Sequence, residues 1–430
     1  MMEELGYRPY GSYKDSHASW LGEVPSDWQV GPGRICIYEN RDKNTGMKES
    51  TVLSLSYGRV IVKDEDKMTG LVPESYETYQ IVQPGDIIIR GTDLQNDVTS
   101  LRTGLAKDHG IITSAYINLR PKPNAYAEFL HYLLHSYDVK KVFYGLGSGL
   151  RQNLSYVDFK YLTIPLPSLP EQRAIVAFLD DKCAKIEGAV RIKEDQIALL
   201  RERRQIIIQD AVTRGLNPAA PMKDSGIDWI GQIPAHWEVR RNFTLFRESK
   251  RSGNANLPVL SVSIHSGVST EELSEEENIR SVIKIEDRTS YKEVLPGFVA
   301  YNMMRAWQGG IGSVSVHGMV SPAYVVAEPI AEVDATYFEL LYRTPVYIWQ
   351  MDAASKGITD FRKRLYWDDF RNLVSILPPI DEQREIIQSI QAMTTKINSG
   401  IAIKEHQIAA LKEYKTSLIN AAVTGKIKVI

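Results

Sequence analysis

The sequence predicts an α+β chain: two α/β domains separated by a pair of long antiparallel coiled-coil helices, built as a pseudo-two-fold internal duplication. Three observations predict it. A tryptophan-marked segment occurs twice, short β-branched runs follow each copy, and each half closes on an apolar stripe of helical period.

The duplication comes first. KDSHASWLGEVPSDWQV (14–30) and KDSGIDWIGQIPAHWEV (223–239) align without a gap, with Trp20/Trp28 and Trp229/Trp237 in one frame. Further on, VLSLSYG (52–58) echoes VLSVSIHSG (259–267), QPGDIIIR (83–90) echoes LPGFVAYNMMR (295–305), and GIITSAYINLRP (110–121) echoes GMVSPAYVVAEP (318–329). LPSLPEQRAI (166–175) answers LPPIDEQREI (377–386), and IKEDQIALL (192–200) answers IKEHQIAAL (403–411). The repeat is roughly 210 residues long.

Within each copy the first part reads as a compact α/β or α+β body, about 28–167 and 237–378. Runs such as Ile87–Ile89, Ile111–Ile112, Val259–Val262, Val314–Val316 and Val325–Val326 lie between Pro and Gly, as strands do. Helical stretches are expected near 126–143 and 336–351. Glu171 after Pro170, and Glu382 after Asp381, mark helix starts. Apolar residues then step by threes and fours: Ile175, Leu179, Ile186, Val190, Ile197, Leu200, Ile207, Ala211, matched by Ile386, Ile390, Ile397, Ile401, Ile408, Leu411, Leu418, Ala422. Lys193/Lys404 and Arg204/Lys415 interrupt the seam with cations. Such a stripe over some 42 residues spans roughly 60 Å of helix. It outruns any domain of this size, so the two stripes are expected to bury each other. The expected parts are 1–167 (N-terminal arm and first domain), 168–215 (central long helix), 216–378 (linker and second domain) and 379–430 (C-terminal long helix).

Composition narrows the function. The 430 residues carry 51 basic and 53 acidic groups, a net charge of −2, which excludes a globally basic nucleic-acid coat but not local basic patches. Cys36 and Cys183 cannot form a disulfide framework or a zinc set. The N-terminus has no apolar signal core, and no run of about 18 apolar residues appears, so a cytoplasmic location is expected.

Catalytic motifs are missing. There is no Walker A loop, HExxH or GxSxG. GLGSG (145–149) follows a helical stretch rather than a strand, which argues against a dinucleotide cradle. His131 and His135 share a helix face but read as structural, and the acidic run Glu271, Glu272, Glu275–Glu277 reads as a solvated loop. Glu65 and Lys67 form a nuclease-like E-x-K triplet with no evident partner acid.

What remains suits a reader of bases and phosphates. Arg90, Gly91, Thr92 and Asp93 follow a strand, Arg102 lies on the same connection, and Arg151, Gln152 and Asn153 follow the Gly-rich loop. The second half places Arg305, Trp307 and Gln308 after a strand, and Arg362, Lys363 and Arg364 before Leu365. Arg and Lys pair with guanine edges, Asn and Gln with adenine, and basic loops neutralise phosphate. With the echoed hairpin segments, the candidate DNA contacts are Ser56, Tyr57, Arg59, Arg90, Thr92, Arg102, Arg151 and Asn153, then Ser263, His265, Arg305, Gln308, Arg362, Lys363 and Arg364.

The segments WLGEVPSDW and WIGQIPAHW, and the run GSGLRQNLSYVDF followed by IPLPSLPEQR, resemble the specificity subunit of type I restriction-modification systems over essentially the whole chain. The second copy, SKGITDFRKRLYWDDF, lacks the Gly-Ser-Gly and carries a more basic loop. The resemblance implies a non-catalytic DNA-recognition subunit. Its two target-recognition domains would each read half of a split, asymmetric sequence, and its long helices would dock two methyltransferase subunits. S-adenosylmethionine would sit on those subunits and no cofactor in this chain. A motor-nuclease subunit would join where restriction accompanies methylation. The alternatives are the equivalent subunit of a combined methylase-nuclease (type IIB-like) system, and a coiled-coil scaffold with two protein-binding modules.

Overall fold

The computed structural model describes residues 6–63, 75–97, 99–146, 153–254, 256–269, 290–357 and 363–429. The chain divides into two compact units, Met1–Lys193 with Glu405–Ile430, and Glu194–Lys404.

The first unit begins with β1 (Tyr13–Asp15), β2 (Glu23–Pro25), β3 (Gln29–Pro32) and β4 (Ile37–Glu39). There follow β5 (Leu53–Ser56), β6 (Arg59–Val62), β7 (Gln80–Val82), β8 (Ile87–Ile89), β9 (Thr103–Leu105), β10 (Gly110–Ile112) and β11 (Ile117–Pro121). It closes with α1 (Ala127–Val139), α2 (Tyr156–Tyr161), β12 (Thr163–Leu166) and the start of α3 (Leu169–Arg214). The second unit repeats the order. It has β13 (Met222–Asp224), β14 (Gln232–Pro234), β15 (Glu238–Arg241), β16 (Phe246–Glu248), β17 (Ser261–Ser263) and β18 (Gly267–Ser269). Next come β19 (Lys292–Val294), β20 (Val299–Asn302), β21 (Ile311–Ser313), β22 (Gly318–Val320) and β23 (Tyr324–Pro329). Then come α4 (Ala335–Tyr342), α5 (Pro345–Ala354), α6 (Trp367–Phe370), β24 (Val374–Leu377) and α7 (Ile380–Val423), whose last part belongs to the first unit.

Sheet order is the same in both. A four-stranded sheet runs β4-β11-β8-β9 in one and β16-β23-β20-β21 in the other, beside matching two-stranded ribbons. All the described ladders are antiparallel, so each body is α+β. The helix expected near 336–351 is two helices. Pro345 has no N–H to extend α4, and the Thr344 side chain accepts from the Tyr347 N–H to start α5. The first copy has no proline there, and α1 runs unbroken.

The Trp segment explains how a long helix is tied to its body. Trp28 is buried, and its indole N–H donates to Glu171 Oε1 (3.1 Å) at the start of α3. Trp237 donates in the same way to Glu382 Oε2 (3.0 Å) at the start of α7. Each ring also meets a helix end. A Cβ on Gly425 would fall 2.2 Å from Pro25 Cδ and 3.3 Å from Trp28, and one on Gly215 would fall 3.3 Å from Trp237. Both glycines have φ above +70°, the left-handed close of a helix. Burying an indole this completely contributes about 4–6 kcal/mol by area. The neighbouring glutamines complete the joint. Gln172 accepts from the Tyr126 N–H (2.7 Å) and donates to Pro167 O, and Gln383 accepts from the Asp334 N–H (2.8 Å) and donates to Pro378 O.

Inside each unit the two long helices pack antiparallel. In the first, Ile175, Leu179, Cys183 and Ile186 share a core with Leu418, Ile419 and Ala422, while Lys415 pairs with Glu187 (2.6 Å) and Lys193 donates to Gln407 (2.8 Å). In the second, Ala211 and Val212 pack with Ile386, Ile387 and Ile390, and Arg204 donates to Asn398 (2.7 Å). Cations on the seam are answered by a carboxylate or amide from the facing helix, which is how a polar position survives there.

Candidate nucleic-acid interface

Three loops converge at the same place in each unit. In the first they are the β5–β6 hairpin tip, the β8–β9 connection and the segment before α2. Leu154 N–H donates to Gly91 O (2.7 Å), and Asp93 N–H donates to Asn153 Oδ1 (2.9 Å), joining the second and third. The hairpin is set against the sheet at Gly104, where a Cβ would meet Leu55 and Val60. Its tip rests on the second loop, because Gly58 faces Leu101. The second unit keeps the frame. Leu365 N–H donates to Met303 O (2.9 Å), and Gly312 underlies the β17–β18 hairpin.

The side chains on this frame differ. Tyr57 stands at the first hairpin tip, 94% exposed and at φ 47°, with Gly58 at φ 75°. Both central turn residues are left-handed, as a two-residue hairpin requires, and a tyrosine there costs roughly 1–2 kcal/mol against glycine. Ser56 and Arg59 flank it, with Ser56 half-buried and Arg59 exposed and close enough to Glu187 on α3 to help stabilise that carboxylate after Lys415. Arg90 faces Asp97 at 3.3 Å. The Ser100 N–H and hydroxyl hold the Asp97 carboxyl down to about 2, so it stays anionic. Thr92 and Asn153 are exposed.

In the second unit His265 is exposed at the hairpin tip, and Arg343 donates to the carbonyls of Ile264 (3.0 Å) and His265 (2.5 Å), fixing the turn. Arg305 donates to Gln308 Oε1 (2.7 Å). Lys363 lies over the Trp307 ring (5.2 Å) and pairs with Asp352 (2.7 Å). Arg364 donates to Lys363 O (3.0 Å). The geometry thus brings Arg305, Gln308 and Lys363 together through Trp307.

Two expectations are corrected. Arg102 is fully buried and its guanidinium ties the β8–β9 loop, donating to the carbonyls of Arg90 (3.2 Å), Thr92 (2.8 Å), Asp93 (3.2 Å) and Asp97 and to the Tyr144 hydroxyl (3.2 Å). A guanidinium with its donors turned inward has none left for DNA. Ser263 is buried, and its hydroxyl accepts from the His265 N–H (3.0 Å), shaping the turn. Arg151 and Arg362 lie outside the described residues, as do Gln152, Glu65, Lys67 and the 271–277 acidic run. Residues not foreseen are Tyr144, Asp97, Asp352 and Arg343, which hold the foreseen ones. Their partners are distant in sequence, and no spacing announces them.

Among the described residues no group of three or more His, Cys, Asp or Glu could hold a metal ion. His131 and His135 stack at 6.1 Å along α1. Burial pushes the His131 imidazole down to about 4, with smaller contributions from His135 and Lys107. No described helix is long and apolar enough to cross a membrane.

Residues 50–194 match the family model for the type I restriction modification DNA specificity domain. The chain is 21% identical to a protein of Methanocaldococcus jannaschii assigned as the MjaX type I restriction enzyme specificity subunit, over 95% of this chain and 96% of that one. The chain is thus similar to type I restriction-modification specificity subunits over nearly its whole length. It is also 21% identical to the EcoKI specificity subunit of Escherichia coli K12, over 72% of this chain and 67% of that one. Its fold matches a chain solved in work on assembly and conformational transition of the type I restriction-modification system, with a TM-score of 0.64, 16% identity and 93% and 98% coverage. It matches the HsdS subunit of Thermoanaerobacter tengcongensis with a TM-score of 0.53, 16% identity and 97% and 100% coverage. Both named relatives are specificity subunits of type I restriction enzymes.

Proposed function

We propose that this chain is the non-catalytic DNA-recognition subunit of a cytoplasmic type I restriction-modification enzyme, and that its two bodies (within 1–167 and 216–378) each read one half of a split, asymmetric target. The observation that carries the reading is the pair of matched loop frames, joined by equivalent hydrogen bonds but presenting different side chains. One scaffold with two different reading heads suits two different half-sites. Tyr57, Arg59, Arg90, Thr92 and Asn153 are the candidate contacts of the first head, and His265, Arg305, Gln308, Lys363 and Arg364 those of the second. Base-edge contacts by Arg, Asn and Gln would specify, and the remaining cations would hold phosphate.

The long helices (168–215 and 379–430) would dock two methyltransferase subunits, which bring S-adenosylmethionine and methylate adenine. With a net charge of −2, the partners would supply much of the positive surface. The test is co-expression with the neighbouring methyltransferase gene and genome-wide mapping of N6-methyladenine. One split motif with a fixed gap, methylated on opposite strands in its two halves, is expected. Exchanging one body at a time should change one half-site at a time. A stable complex that methylates nothing would overturn the reading in favour of a protein scaffold.

A further inference from the structure

We propose that Tyr57 is a stacking wedge, its ring entering an opened base step in the half-site read by the first unit. The proposal rests on the DNA-recognition reading above and goes beyond it in naming a π-face, rather than a base edge or a phosphate, as the group contacted. Among the described residues no other large apolar or aromatic side chain is more than 64% exposed, against 94% for Tyr57. A ring held that far into water makes no contact that stabilises the fold, and its backbone sits in the left-handed region where Gly or Asn is favoured. The turn therefore carries a residue that is unfavourable both for its backbone and for its solvation.

The tip is nonetheless firmly supported. Leu55 and Val60 anchor the hairpin over Gly104, Gly58 sits on Leu101, and the next residue, Arg102, ties four carbonyls of the loop beneath. A rigid stalk with an aromatic end is what inserting between bases requires, since a flexible one would lose its ordering entropy on contact. Ser56 and Arg59 flank the ring with groups suited to the polar rim of a groove. Base faces are closed in a stacked duplex, but methylating an adenine takes that base out of the stack and opens its neighbours. Apolar and aromatic side chains inserted at such steps hold them open. The second unit has no counterpart. Its tip is Ile264, His265 and Ser266, with the first two carbonyls held by Arg343. The wedge therefore belongs to one half-site only.

The experiment uses the complex of this chain with its methyltransferase partner and duplexes carrying the mapped target, with 2-aminopurine placed in turn along both half-sites. The wild-type complex should raise fluorescence at one step of the first half-site. Tyr57→Gly and Tyr57→Asn should abolish that signal and weaken binding by about 5- to 150-fold, the range for one base-aromatic stack. Tyr57→Phe and Tyr57→Trp should keep both. Because Gly and Asn relieve the turn, the melting temperature should hold or rise, which separates lost contact from lost fold. Specific binding and unstacking that survive Tyr57→Gly would refute the wedge and leave the recognition reading standing. A complex with no sequence-specific binding at all would overturn both.

Discussion

Replacing Arg102 by Met keeps the length and apolar stem of the side chain and removes its donors. Five hydrogen bonds then go: those to the carbonyls of Arg90, Thr92, Asp93 and Asp97 and to the Tyr144 hydroxyl, although Asp93 O keeps the Asp97 N–H (3.2 Å) and Asp97 O keeps the Tyr144 hydroxyl (3.0 Å). The cation over the Tyr144 ring (5.4 Å) goes as well. At about 1 kcal/mol net for each hydrogen bond lost, with some carbonyls regaining water, the loss is about 4 kcal/mol. For a unit of this size that lowers the midpoint of the first unit's transition by roughly 10 °C. Scanning calorimetry of the whole chain reads it, with Arg102→Lys as a second variant. One ammonium cannot serve five acceptors spread around a planar fork, so most of the loss should remain. An unchanged melt for Arg102→Met together with lost DNA binding would refute the reasoning, because it would make this side chain a contact and not a strut.

Gly425→Ala should destabilise the first unit by about 2–4 kcal/mol, since the new Cβ meets Pro25 Cδ at 2.2 Å in addition to its left-handed backbone. Gly215→Ala meets nothing nearer than 3.2 Å and should cost only about 1 kcal/mol, so equal melting shifts for the two would sink the packing argument. His131 is held neutral in the fold. Its contribution to stability is full above about pH 6.5 and is lost as pH falls from there towards 4, by about 3 kcal/mol in all. Urea midpoints against pH should flatten over that window in His131→Leu, and a profile identical to wild type would contradict the assignment. Deleting one heptad from both α3 and α7 shortens each helix by about 10 Å and should shorten the accepted spacer by about three base pairs. An unchanged methylation map would sink the proposal that helix length sets the gap between the two half-sites.

The features legible in the sequence are those that repeat at a period. The Trp28/Trp237 frame and the apolar steps from Ile175 and Ile386 announced the two bodies and the paired helices, because burial writes itself into spacing. The Glu-Gln pair at 171–172 and 382–383 was visible as an echo, but its task of closing the joint to Trp28, Trp237 and two backbone amides was not. Arg102 shows the opposite failure. An arginine in a loop is usually solvated, and nothing local says that this one turns inward to hold four carbonyls. Its counterpart loop in the second copy is shorter and has Gly310 in place of such a strut, so the two halves do not echo each other at this position. Tyr57 is a candidate by its place between two strand segments, whereas its left-handed backbone is a property of the turn that spacing does not encode.

The assignment of chain segments to the two units also sets a timetable for synthesis. The second unit is one unbroken stretch, Glu194–Lys404, and every partner its core needs has been made once residue 404 has emerged. The first unit is made earlier yet cannot finish earlier. Leu418, Ile419, Ala422, Val423 and Ile427 are part of the same core as Trp28, Phe129 and Ile175. Until those residues leave the ribosome, the seam face of the first turns of α3 stands open, for the time needed to make more than 200 residues. At 5–20 residues per second that wait is on the order of tens of seconds. The segment begun first is thus the last to close, and during that interval it is the part of the nascent chain most exposed to aggregation and most in need of a chaperone.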